Sequence, residues 1–342
     1  MTKKSNLYSG NIIDVHAHIY PSKYLKELEK RKEFPTIEMD SAPGRGYIRF
    51  SETIRAPFSN SFHDLDARIK EMDHFQVTTQ LLSAINPWTD SFPSVALAVS
   101  FSRLINNEIA SIVSKYKNSN RFIGLATLPL LSPTDAAKEL ERSIDELGLV
   151  GAILGTNVSG TYISDDRFLP VFEVAQKKKC LLFLHPTVPL GAERLRENGL
   201  IRSLGYVFDS TLCLVKMAYS GLFDKFPNLK ILSAHLSGTL PFVQGRVDTA
   251  WRNFEESKGK LSEPPSEKIK RVLYADTISY NAKALRLAAE FLGIERLMFG
   301  TDFPFEWGMD SARNSVDGAF EDWEQKLVYS ENYHACQKSL AS

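Results

Sequence analysis

Eight short apolar, β-branched runs recur along the chain, at 12–15, 78–83, 122–127, 150–154, 180–184, 230–234, 272–276 and 296–300. Segments with helical spacing separate them. In 102–116, Leu104, Ile105, Ile109, Ile112, Val113 and Tyr116 share one face, and in 134–147 Ala136, Ala137, Leu140, Ile144 and Leu147 do the same. Asp135 and Glu139 fall in the first turns of that second segment and Gly148 follows its end, as the helix dipole and a C-terminal cap favour. Continuous apolar strands need cover on both faces, which a parallel sheet flanked by helices provides. Eight strand–helix units predict an α/β fold, a (β/α)8 TIM barrel. A doubly wound open sheet competes, but the G-x-G-x-x-G that usually follows its first strand is absent.

The 342 residues suit one barrel domain over 1–342. Residues 20–65, rich in Pro, Gly and aromatics, read as an insertion after the first strand, and a loop of that length is usually functional. Residues 305–342 read as a C-terminal extension, helical in part, and 255–268 (EESKGKLSEPPSEK) as a solvated loop. Lys+Arg and Asp+Glu both number 41, so the net charge is zero, which argues against nucleic-acid and anionic-membrane partners. Cys180, Cys213 and Cys336 are too sparse for a disulfide framework or a thiolate zinc site and read as buried thiols in a reducing cytoplasm. The N-terminus shows no apolar signal region, and no run of about 18 apolar residues suggests a membrane span.

The chemistry gathers at the ends of the runs, where barrels of this kind place reactive groups. DVHAHIYP carries His16 and His18 two residues apart, so alternation along a strand turns both imidazoles the same way. His185 ends the fifth run (LLFLH), His235 ends the sixth (ILSAH), and Asp302 follows the eighth (FGTDFPF). Four of the seven histidines thus fall at three strand ends. Neutral imidazoles and a carboxylate suit zinc or a similar ion. His16, His18, His185 and Asp302 are the expected ligands of one divalent metal with an open position, and His235 the expected base or orienting group. His63 lies in the insertion; His74 and His334 read as surface or packing residues.

These segments together resemble the metal-dependent amidohydrolase superfamily, over nearly the whole chain. That resemblance implies a barrel with its metal at the strand ends. Many binuclear members carry a carboxylated Lys at the end of strand 4; here that end reads AILGTNVSG, which implies a single metal ion. RFIGLATLPL, SGLFDKFPNLKILSAH, HLSGTLPFVQGR and GTDFPF are similar to the branch of 2-amino-3-carboxymuconate-6-semialdehyde decarboxylase, with isoorotate, methylsalicylate and resorcylate-type decarboxylases. The branch implies zinc, with manganese as the alternative, and no organic cofactor. It implies that Arg246 reaches a substrate carboxylate in a neighbouring subunit of a homodimer, that Arg49 of GYIRF binds substrate, and that Phe305 is an active-site aromatic. Departures are Leu236-Ser237-Gly238 after His235, Thr187 after His185-Pro186, and INPWTD at 85–90, whose Trp88 is a candidate pocket residue.

The implied activity is non-oxidative decarboxylation of a small aromatic or enol-type carboxylic acid, with Asp302 delivering the proton and His235 assisting. Hydroxide addition with His235 as base is the other route. Hydrolysis of a lactone or amide would use the same groups, and a catalytically silent metal-binding barrel is the reading outside enzymology.

Overall fold

The structure, a computed structural model, describes residues 8, 10–41, 44–52, 54–84, 89–259, 261–305 and 308–341. Strand β1 (Ile13–Ile19) opens the chain, followed by helix α1 (Ser22–Glu29). The predicted insertion is structured: β2 (Thr36–Met39), β3 (Gly46–Arg49) and β4 (Arg55–Phe58) form an antiparallel sheet that precedes α2 (Leu65–His74). Strand β5 (Thr79–Ala84) leads to α3 (Val95–Lys115). The third apolar run divides at Leu125 into β6 (Phe122–Gly124) and β7 (Ala126–Thr127), before α4 (Pro133–Asp145). Strand β8 (Gly151–Gly155) is followed by the small ladder β9 (Asn157–Val158) and β10 (Thr161–Tyr162), then by α5 (Leu169–Lys177). Strand β11 (Leu181–His185) precedes α6 (Tyr206–Tyr219) and α7 (Leu222–Lys225). Strand β12 (Lys230–Ser233) precedes α8 (Leu240–Asn253), α9 (Glu255–Lys258) and α10 (Pro265–Val272). Strand β13 (Leu273–Asp276), α11 (Ala282–Leu292) and β14 (Leu297–Met298) complete the alternation. The C-terminal segment is helical: α12 (Gly308–Ala319), α13 (Asp322–Lys326) and α14 (Asn332–Ala341).

All eight apolar runs are strands. They lie parallel in two sheets, β1-β5-β6 and β14-β13-β12-β11-β8-β7. Leu125 N donates to Leu82 O at 2.9 Å, linking the sheets at one junction. At the other, Val15 N donates to Phe299 O at 2.9 Å and Ala17 forms a parallel bridge with Phe303. Strand residues turned to one side share a buried cluster: Val15, Leu81, Leu125, Ile153, Phe183, Leu232, Tyr274 and Met298, with Tyr333, Cys336 and Leu340 of α14 packed among them. A larger cluster joins the opposite strand faces to the helices.

Local chemistry fixes the helix starts. Ser94 caps α3 by accepting from Leu97 N, and Ser132 caps α4, whose first residue is proline. Segment 255–268 is not the solvated loop its composition suggests: it holds α9 and the first turn of α10. Buried Asp248 accepts hydrogen bonds from Ser266 N and Oγ, and buried Lys268 pairs with Asp224 and Glu263, which satisfies polar groups that composition reads as solvated. All three cysteines are free and buried.

Candidate metal centre and cleft

Three of the four expected ligand atoms converge. His16 Nε2 and His18 Nε2, from β1, stand 2.9 Å apart, and each is 3.2 Å from Asp302 Oδ1. Ligand atoms about 2.1 Å from one ion lie about 3.0–3.4 Å from each other, so the triangle matches an edge set of a coordination sphere. The His185 ring, at the end of β11, packs edge-on against both others, with centroids at 5.3 and 5.1 Å. One ligand atom each from His16, His185, His235 and Asp302 lies within 4.8 Å of the rest. His235 therefore stands closer to the ligand set than a purely outlying base would, with Nε2 3.7 Å from Asp302 Oδ2.

The outward ring nitrogens of the three strand histidines are occupied. His16 Nδ1 lies 2.7 Å from Asp276 Oδ2, His18 Nδ1 3.1 Å from Ser83 Oγ, and His185 Nδ1 3.0 Å from the Pro186 carbonyl. A carbonyl and a carboxylate can only accept, so His185 and His16 carry a proton on Nδ1 and direct Nε2 inward. Asp302 Oδ1 is buried and makes no aligned hydrogen bond, although two imidazole nitrogens lie beside it. A cation needs no donor alignment. The orphaned oxygen, the short Nε2–Nε2 approach and the oriented imidazoles fit one divalent metal.

The electrostatics agree. Burial opposes charge on His16, but the Asp302 carboxylate and the hydrogen bond to Asp276 outweigh it and push the imidazole up to about 10. Burial pushes His18 down to about 4 and His185 well below the ordinary histidine value. Burial also works against ionised Asp302, yet the charge of His16 and the nearby imidazoles of His16, His18 and His235 hold it well below the usual carboxylate range. A negative charge is thus fixed in a buried cluster, where a positive partner is required. A divalent cation would take that place and displace the His16 proton.

The frame beneath is polar and extensively hydrogen-bonded. Asp14 Oδ1 accepts from His16 N and Thr301 N, and Oδ2 from Gln80 Nε2 and Thr301 Oγ1. Burial pushes Asp14 up to about 6 despite these bonds. Arg68, 1% exposed, reaches from α2 to Gln80 Oε1 and the His18 carbonyl and lies over the Phe303 ring. After β12 the chain runs through His235, Leu236 and Ser237 at φ 54°, 56° and 62°, and Asp302 sits at φ 63°. Non-glycine residues in that region cost on the order of 1 kcal/mol each and persist where surroundings hold them. Gly238 follows, where a Cβ would meet Val207 O at 2.0 Å, so only glycine fits.

A cleft of about 880 Å³ opens from this cluster. His185, His235, Asp302 and Phe305 line its buried part; Arg55 of β4, Arg196 and Arg202 of the segment before α6, and Tyr206 and Tyr280 line the remainder. Phe305 stands edge-on to His18 with centroids 6.4 Å apart.

Arg49 is not brought there. It is not among the described residues that line the cleft; it pairs with Glu52 at 3.1 Å and Glu38 at 3.5 Å and lies over Phe34. Its partner across the ladder, Arg55, takes the cleft position instead. Arg246 is exposed on α8 and also absent from the described lining. His63 is half-buried outside the described lining, His74 and His334 are exposed, and Trp88 lies outside the described residues. Sequence reasoning missed Asp276, although it ends the seventh apolar run as His185 ends the fifth. It also missed Arg68, Arg196 and Arg202, for which the sequence holds no local signal.

Residues 13–313 match the amidohydrolase family. The chain belongs to the amidohydrolase family. It is 29% identical over 299 residues to 2-amino-3-carboxymuconate-6-semialdehyde decarboxylase of Dictyostelium discoideum, covering 86% of this chain and 82% of that protein. It is 31% identical over 265 residues to γ-resorcylate decarboxylase of Rhodococcus jostii, covering 70% and 77%. Among solved structures it resembles 5-carboxyvanillate decarboxylase of Sphingomonas paucimobilis, with a TM-score of 0.83 and 26% identity over 96% of this chain and 99% of that one. A dihydroxybenzoic acid decarboxylase of Polaromonas, solved with bound manganese, shares the fold at a TM-score of 0.78 and 24% identity, over 96% and 97% of the two chains. The chain thus lies in the decarboxylase branch of its family.

Proposed function

We propose that this protein is a metal-dependent, non-oxidative carboxy-lyase acting on a small aromatic or enol-type carboxylic acid. The observation that carries the reading is the buried triangle of His16 Nε2, His18 Nε2 and Asp302 Oδ1 at the end of a cleft lined by arginines. In this reading the two parallel sheets close as one (β/α)8 barrel domain spanning 1–342, supported by the hydrogen bonds between β1 and the 299–303 segment. His16, His18, His185 and Asp302 would hold one ion, with His235 adjacent. Zinc suits these donors, and manganese is held by the Polaromonas relative. The bound ion would polarise an oxygen next to the departing carboxylate.

The protein's own groups handle the rest. Arg55, Arg196 and Arg202 bind acidic oxygens of the substrate through charge-assisted hydrogen bonds, and Phe305 packs on its ring. Asp302, held ionised, first accepts a proton from the substrate hydroxyl or from His235, then delivers it to the carbon that bears the carboxylate. That carbon gains hydrogen, its bond to the carboxylate breaks with the electron pair returning to the conjugated system, and CO₂ leaves. The reading includes a cytoplasmic homodimer in which exposed Arg246 reaches a neighbouring cleft. No helix among the described residues is long and apolar enough to cross a membrane.

Product analysis in deuterated water tests the reaction class. Carboxylated phenols, enol acids and lactones are offered in parallel. Release of CO₂ with one deuterium at the vacated carbon supports the carboxy-lyase; a new carboxylate without CO₂ makes the protein a hydrolase.

A further inference from the structure

Asp276 lies at the end of β13, fully buried, and all four of its oxygen lone-pair directions are used. Oδ2 accepts from His16 Nδ1 at 2.7 Å and from His235 N at 2.9 Å. Oδ1 accepts from Leu236 N at 2.9 Å and Ile278 N at 3.0 Å. One carboxylate therefore fixes the ring of a proposed metal ligand and the backbone of His235, a proposed proton source for Asp302. Its hold on His235 and Leu236 falls on two of the three consecutive non-glycine residues in the left-handed region. His235 Nδ1 is buried without a partner, so its ring lacks the side-chain anchor that His16, His18 and His185 each have. The backbone is what places it.

We infer that Asp276 is a positioning residue that sets the ligating tautomer of His16 and the location of His235 together, so that metal affinity and proton transfer are coupled through one side chain. The His235 half of this inference rests on the decarboxylase reading; the His16 half rests only on the metal centre. Asp248 supplies a comparison outside the site. It is a buried carboxylate that accepts from Ser266 N and Oγ, touches neither His16 nor His235, and does not line the cleft.

In Asp276→Asn the amide must turn its NH₂ toward one pair of donors. Facing His16 and His235, it loses the His235 N–H bond and can be accommodated at the ring only if His16 moves its proton to Nε2, the ligating atom. Facing Leu236 and Ile278, it releases the strained turn. The test measures zinc affinity by competition with a chelator, then kcat and KM at saturating metal, for wild type, Asp276→Asn and Asp248→Asn. The expected result for Asp276→Asn is an affinity about 10–100-fold weaker, and a kcat that stays at least about tenfold low when metal is saturating, with KM within about threefold. Asp248→Asn, matched for thermal stability loss, should move metal affinity and saturated kcat less than about threefold. Equal effects of the two substitutions, or wild-type affinity and kcat in Asp276→Asn, overturn the inference. Nitrogen-15 shifts of the His16 ring in zinc-loaded wild type provide a reading that needs no variant to fold. Protonated Nδ1 with metal on Nε2 is expected; the reverse assignment overturns it. Metal affinity requires no turnover, so a protein that binds zinc as described but releases no CO₂ refutes the decarboxylase reading while leaving the His16 half standing.

Discussion

The two ends of the cleft are built on different principles. At the buried end, His16, His18, His185, His235 and Asp302 stand at or just after parallel strands whose register is locked by ladder hydrogen bonds and a polar frame of Asp14, Gln80, Arg68 and Asp276. At the open end, Arg55, Arg196 and Arg202 stand on a three-stranded antiparallel sheet and on the segment before α6, and all three are exposed. The first set cannot move without breaking the sheet. The second can be exchanged without cost to the fold. The contrast assigns chemistry to the frame and substrate choice to the walls, as surface loops on a rigid scaffold usually do.

The sharpest break of this contrast is Asp302→Asn. It should retain the fold and lose turnover by about 10³-fold or more, measured by CO₂ release under saturating metal. Near-wild-type rates would remove Asp302 from the proton path. His185→Ala should come next, lowering bound metal per chain by elemental analysis at least about tenfold, since one buried ligand is lost.

The metal centre also predicts a pH dependence of loading. Against burial, Asp302 and Asp276 hold a proton on His16 up to about 10, and metal must displace it. Below that value each unit of falling pH should weaken apparent zinc affinity about tenfold, so binding at pH 6 should be about 100-fold weaker than at pH 8. A flat profile would mean that His16 is not a ligand.

At the open end the effects should be smaller and of another kind. Arg202→Gln should raise KM about 5–20-fold with kcat nearly unchanged, because an anchoring contact is present in ground and transition states alike. The least effect belongs to Arg49→Ala. Its partners Glu38 and Glu52 are exposed, so stability should change by less than about 1 kcal/mol and KM by less than about twofold. A large KM change at Arg49 would return it to the substrate site.

The same contrast decides what could be read from the sequence. Strand ends were legible because the apolar runs mark them independently of the histidines, and DVHAH, LFLH, SAH and GTD then fall at equivalent positions. Asp276 was legible by that rule, since YAD ends the seventh run, but a single Asp at a strand end offers no pair or repeat to flag it. The arginines were not legible. Arg49 and Arg55 face each other across one antiparallel ladder, and the choice between them depends on how that sheet leans on the ends of the parallel strands. Burial of Arg68 depends on Gln80 and the His18 carbonyl, partners 12 and 50 residues away. Residues 255–268 misled for a related reason: Ser266 finds its partner in Asp248 and Lys268 in Asp224, which composition does not show.

The most direct test of the metal-dependent decarboxylase is CO₂ release as metal is removed and returned. Chelated protein is titrated with zinc or manganese while CO₂ is measured on a panel of carboxylated phenols and enol acids. The account predicts loss of activity on chelation and linear recovery that breaks at one ion per chain. CO₂ release that persists in fully chelated protein, or a chain that binds one ion yet releases CO₂ from no member of the panel, would contradict it.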